Sequence, residues 1–168
     1  MRIPYFLYFP FVILVFFCGS FSGYTQELPP RPVEVETNSS QFLNFGAFTT
    51  GNGRGTVSVD YSGTRSYSGD VYLLNMGEPA SPALFDVTAN PGTILNVLVQ
   101  EGIILQGENG GRLRLELDSF SPGKMFISRT QPPHVNSLYM GGTLYLENIS
   151  ANPPGRYSGT FTITLIHQ

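Results

Sequence analysis

The chain has 168 residues, with nine Lys and Arg against twelve Asp and Glu, no Trp and a single Cys. That acidic balance argues against a nucleic-acid partner, which requires a basic face. Charged residues make up 12% of the chain, about half the roughly 25% of an ordinary domain. Sparse charge with abundant Thr, Ser, Asn and Gly points to a β-rich exported protein.

In chain order, residues 1–25 are expected to form a secretory signal peptide. Arg2 supplies a short basic head, Tyr5 to Phe17 is an apolar run broken only by Pro10, and Gly19, Ser20, Ser22 and Gly23 are small. A signal peptidase accepts that pattern, and cleavage is expected after Thr25. A membrane anchor would need roughly 20 apolar residues, more than this run holds. Lipidation at Cys18 would need a small residue before it, where Phe16 and Phe17 stand. The exported chain then keeps about 143 residues (168 less 25), no cysteine, and eight basic against twelve acidic side chains. It is large enough for one domain with a real core and is not an integral membrane protein.

Residues 26–41 read as a leader and a first short strand. Pro29, Pro30 and Pro32 keep its start extended, and Val33, Glu34, Val35 and Glu36 then alternate. Proline cannot donate to a ladder, so the strand is expected at a sheet edge. Val33 and Val35 either pair with their own sheet or are donated to a neighbour. From residue 42 to 168 the apolar period is two almost throughout. Val57, Val59 and Tyr61 alternate with polar residues, as do Phe85 and Val87, Leu95, Val97 and Val99, Leu113, Leu115 and Leu117, Leu144 and Leu146, and Phe161, Ile163 and Leu165. Alternation of this kind lines one sheet face with apolar side chains. Between these sets lie Ser62-Gly63, Asn90-Pro91-Gly92, Asn109-Gly110-Gly111, Ser121-Pro122-Gly123, Pro132-Pro133 and Asn152-Pro153-Pro154-Gly155, all turn chemistry. The chain is therefore expected to be all-β, a sandwich or barrel of short strands.

Chemical motifs are scarce. Gly51, Gly53 and Gly55 invite a phosphate-loop reading, but such a loop opens a helix, and here a strand-like Thr56–Tyr61 follows. The glycines are read instead as a hairpin connection around Asn52-Gly53. Two histidines and scattered carboxylates offer no metal-ligand spacing, and no G-x-S-x-G elbow occurs. No catalytic residue, cofactor or metal is assigned, and the chain is read as a non-enzyme. Five residues stand out as candidates for partner contact: Asn52 and Arg54 in the glycine stretch, Arg65 beside Tyr67, and Tyr145, whose ring should point opposite Leu144 and Leu146.

The runs "LNFGAF", "GTVSVDYSGTRSYSGDVYLL", "ALFDVTANPG", "LYMGGTLYL" and "NPPGRYSGTFTITLIHQ" resemble a bacterial exported all-β domain family of unknown function. Its members share Leu-x-Phe-Gly, Gly-Thr-Val, Gly-Gly-Thr-Leu and Gly-x-Tyr-x-Gly-Thr-Phe strands in that order. More distantly the layout is similar to spore-coat-U-like and fimbrial subunits, although their usual cysteine pair is missing. The resemblance implies an immunoglobulin-like antiparallel β-sandwich of about 8–10 short strands. It also implies a structural or adhesive role in the periplasm, at the cell surface or outside the cell, with self or another envelope protein bound through sheet edges. The alternative is a soluble ligand-binding module that reads a glycan or peptide with loops at one end.

Overall fold

The structure, a computed structural model, describes residues 33–37 and 41–167. The predicted signal peptide, the leader prolines and the turn at 38–40 lie outside the described residues. All regular structure among the described residues is strand: β1 (Glu34–Thr37), β2 (Phe48–Val59), β3 (Arg65–Leu73), β4 (Ala83–Thr88), β5 (Ile94–Val99), β6 (Ile103–Gly107), β7 (Arg112–Ser121), β8 (Met125–Ile127), β9 (Asn136–Leu146), β10 (Tyr157–Ser158) and β11 (Ile163–His167). Every pairing is antiparallel.

The large sheet is organised around β9. Along one edge β9 pairs with β7. Along the other it has two partners in succession, β4 at Asn136–Met140 and β2 at Gly142–Leu146. Gly141 and Gly142 sit at the hand-over. A Cβ on Gly141 would lie 2.1 Å from the Val59 carbonyl, and one on Gly142 would lie 2.5 Å from that of Glu116. Only glycine permits backbone to approach backbone this closely. The sheet continues outward through β6 and β10 on one side, through β4 to β1 on the other, and from β2 to β3.

Register places Val57, Leu115 and Leu144 side by side on one face, with Ile103 next to Leu115 and Phe85 next to Leu138. All are buried. Each apolar side chain of this size removed from water contributes about 1.5–3 kcal/mol, so this face holds the sheet's stability. The small sheet, in the order β11-β5-β8, turns Leu95, Val97 and Phe126 into the same buried cluster. An edge-to-face contact between Phe85 and Phe161, with ring centroids 6.3 Å apart, ties the segment entering β11 to the large sheet.

Two expectations need correction. The strands number eleven among the described residues, beyond the expected 8–10. The extra elements are β6, whose Ile103-Ile104-Leu105 does not alternate, and β8 and β10, only three and two residues long. The glycines at 51, 53 and 55 do not form a hairpin connection either. They lie inside β2, at a bulge where the pairing with β3 jumps from Thr50–Val71 to Gly55–Gly69. The extra residues fold around Asp70, whose carboxylate accepts the Gly53 N–H at 2.9 Å. A Cβ on Gly51 would lie 2.2 Å from that carboxylate, so the glycines serve close packing within a bulged strand. The actual hairpin turn follows at Asp60–Thr64. There one Asp60 oxygen accepts the N–H groups of Ser62 and Thr64, both at 2.8 Å, and the Ser62 hydroxyl at 2.6 Å.

β1 pairs with β4 of its own chain, Val35 opposite Val87. The first strand is thus joined to its own sheet.

Candidate functional site: an open groove

The five candidate contact residues do not converge. Asn52 is exposed on the β2 bulge, and Arg54 beside it pairs with Glu147 at 2.5 Å on the open surface. Such an exposed pair contributes about 0–1 kcal/mol. Tyr67 is 57% exposed on the edge strand β3. Tyr145 does face away from Leu144 and Leu146, but its ring is not an open platform. The Arg114 guanidinium lies 4.0 Å from its centroid and its hydroxyl donates to Glu116 at 2.7 Å. That hydrogen bond, with some burial, raises the phenol above its ordinary value.

Arg65 departs furthest from the expected solvated position. It is half-buried, and its guanidinium donates to the carbonyls of Leu74 and Ala47. Burial lowers its pKa. It braces the segment Phe42–Ala47 against the end of β3, which is a structural task.

That braced segment forms one wall of a groove of about 910 Å³. Core residues of β6, β7 and β9, among them Leu113, Leu115, Leu144 and Leu146, make its base. The groove is also lined by Tyr157–Gly159 and Phe161, where the chain leaves β10 in the large sheet and crosses to β11 in the small one. The base leucines are only 1–4% exposed, so filling the groove would shield little more of them. The apolar surface still open includes that of Phe42, Leu43, Phe48, Leu105, Tyr157 and Phe161, beside the exposed Met76 and Ile149.

Both segments are extended chain with a spare edge. Asn44 exchanges both backbone hydrogen bonds with Ser81 at 2.8 Å. In an extended chain the neighbouring residues turn their N–H and C=O the other way, so those of Leu43 and Phe45 face away from Ser81. They have no backbone partner among the described residues. Gly159, Thr160 and Phe161 likewise make no backbone hydrogen bond among the described residues, while the next residue, Thr162, is tied to Gln100 through both its N–H and its C=O.

Side chains hold the groove's end in shape. Asn152 is buried; its Oδ1 accepts the Glu147 N–H at 2.6 Å and its Nδ2 donates to the Arg112 carbonyl at 2.9 Å. The Tyr157 hydroxyl donates to the Pro153 carbonyl at 2.8 Å, and burial raises its pKa. Sequence reading treats Asn152-Pro153-Pro154-Gly155 only as a turn. Nothing local marks Asn152 as a strut, because its partners lie on the ends of β7 and β9. Among the described residues no three His, Cys, Asp or Glu side chains gather where they could hold a metal ion.

Residues 34–167 match the family described as Domain of unknown function (DUF4402). The chain belongs to that family. The match takes in β1, so the DUF4402 domain begins with the strand that joins β4 and runs through all eleven strands. No curated protein and no solved structure matches the chain. Among the described residues of this DUF4402 domain, no helix is long and apolar enough to cross a membrane.

Proposed function

We propose that this DUF4402 domain is an exported, non-enzymatic β-sandwich of the cell envelope or surface, with a structural or adhesive role, and that it accepts an extended segment of polypeptide in the groove. One observation carries the reading: two extended segments beside one groove, Phe42–Ala47 and Gly159–Phe161, carry backbone groups with no backbone partner among the described residues. An unpaired edge is a template for strand addition, in which main-chain hydrogen bonds give affinity and alternating side chains give register. The large sheet outnumbers the small one by eight strands to three, and no residue of the small sheet's strands lines the groove. An immunoglobulin-like sandwich with room for one more strand accounts for this layout, and assembly through sheet edges follows from it. The similarity to fimbrial subunits noted in the sequence points the same way. The outward Tyr145 is covered by Arg114 and offers a glycan no open ring.

The test is binding of a synthetic peptide that alternates valine and threonine, long enough to cross the groove, followed by fluorescence anisotropy of a label on the peptide. Leu105→Arg puts a charge on the half-buried wall without emptying the core. Wild type should bind and Leu105→Arg should bind at least about tenfold more weakly, the equivalent of about 1.4 kcal/mol. Equal binding by both proteins, or none by wild type, contradicts the reading.

A further inference from the structure

Asn-Gly occurs twice in the chain, at Asn52-Gly53 and at Asn109-Gly110. In this dipeptide a backbone amide can close on the side chain before it, because glycine puts no Cβ beside the attacking nitrogen. The fold treats the two sites differently. Residues 51–54 lie between the Thr50–Val71 and Gly55–Gly69 pairs of β2 with β3, and the pairing of β2 with β9 begins only at Gly55. No strand partner therefore holds Asn52 in register. Asn52 is exposed, and the Gly53 N–H donates to Oδ2 of Asp70 at 2.9 Å. That is the reach a general base needs to the proton it removes. At the other site the Gly110 N–H donates to the Gly107 carbonyl at 3.1 Å, and the Asn109 side-chain amide is tied to the Pro154 carbonyl at 2.9 Å. A carbonyl there takes no proton, and the side chain that would be attacked is anchored.

We infer that the β2 bulge is a self-modifying site, at which Asn52 deamidates in the folded chain with Asp70 as the general base. The Gly53 nitrogen attacks Cγ of Asn52 as its proton passes to Oδ2 of Asp70. The bond from Cγ to the side-chain nitrogen then breaks, and that nitrogen takes the proton and leaves as ammonia. The cyclic imide left behind is opened by water, which adds at either of its carbonyl carbons. Opening at Cγ gives aspartate in an unchanged backbone. Opening at the backbone carbonyl gives isoaspartate, whose backbone runs through Cβ and Cγ. Nothing is oxidised or reduced, and water is the one co-reactant. Either product adds a negative charge to a bulge that already holds Asp70, and isoaspartate also lengthens it. Gly51, the residue before, gives its carbonyl to the Ile149 N–H at 3.2 Å, and Ile149 lines the groove. The modification thus sits one residue from a bond that ties the bulge to the groove.

Peptide mapping by mass spectrometry reads both sites in one sample of the purified protein, incubated either folded or unfolded in urea. Aspartyl and isoaspartyl products are separated by chromatography. Folding should raise the Asn52 rate at least about tenfold above its unfolded value, an effect within the range of general-base catalysis. Folding should lower the Asn109 rate. Asp70→Asn keeps an oxygen that accepts the Gly53 N–H but removes the base. In the folded chain it should abolish the excess rate at Asn52, and in urea it should leave both rates unchanged. Two results would overturn the inference. One is an Asn52 that converts no faster in the folded chain than in the unfolded one. The other is a folded Asp70→Asn chain that converts Asn52 as fast as wild type. The first comparison uses wild type alone, so it decides the matter even where Asp70→Asn fails to fold.

Discussion

At the scale of single residues, polar side chains do most of their work on the backbone. Asp60 gathers three hydrogen bonds from Ser62 and Thr64 and closes the β2–β3 turn. Those bonds, with that of the Ser62 hydroxyl the largest influence, hold its carboxyl below the ordinary value of 3.8. A carboxyl depressed in the folded state contributes stability above its unfolded pKa, and that contribution fades as pH falls through the folded value. Asp60→Asn should therefore melt below wild type at neutral pH, and the gap should narrow as pH drops below 3.8, measured by circular dichroism across a pH series. A gap that stays constant would show that the charge of Asp60 is not what the turn uses. Arg65 shows why residue type alone misleads. Arginine on a strand beside an exposed tyrosine reads as surface, but its partners, the carbonyls of Ala47 and Leu74, belong to a chain crossing that only the fold creates.

At the scale of elements, period-two alternation was legible wherever one face of a strand is buried and the other wet. β4, β5 and β7 follow it closely, because their buried residues fall at every second position. It failed where a strand is short or its pattern depends on distant partners. β8 buries only Phe126, and β10 is defined by two pairs with β6. The hairpin expectation for the glycine stretch fails for a related reason. Asn-Gly between apolar sets suits a hairpin turn, but here the glycines make room for Asp70 and Val71 of the neighbouring strand. Gly69, across the ladder from Gly55, has φ +73° and would carry a Cβ only 2.3 Å from the Arg54 carbonyl. Gly69→Ala should cost about 1–3 kcal/mol, from backbone strain with a steric clash added, read as a lower urea midpoint at unchanged slope. A change within about 0.5 kcal/mol would mean that the bulge is not held as described.

At the scale of the molecule, two sheets of unequal size share one core. The molecule also carries a groove beside segments with unpaired backbone groups, and an open apolar face on the small sheet. The groove itself was not legible in the sequence, because its walls come from residues 42–48 and 157–161, more than 100 positions apart, and its defining property is the absence of backbone pairing. What the sequence does contain is the apolar content of those walls, in Phe42, Leu43, Phe48 and Phe161. Strand acceptance makes a direct statement about individual amides. In the isolated protein the N–H groups of Leu43, Phe45 and Phe161 should exchange with solvent rapidly, while those of Leu115 and Leu144 at the groove's base, within the ladders of β7 and β9, should exchange slowly. Hydrogen exchange followed by NMR, with and without the alternating valine–threonine peptide, tests this most directly. Strand acceptance requires the amides of the two walls to become protected together when the peptide binds, whereas wall amides that keep exchanging at their free rate with peptide bound would contradict it.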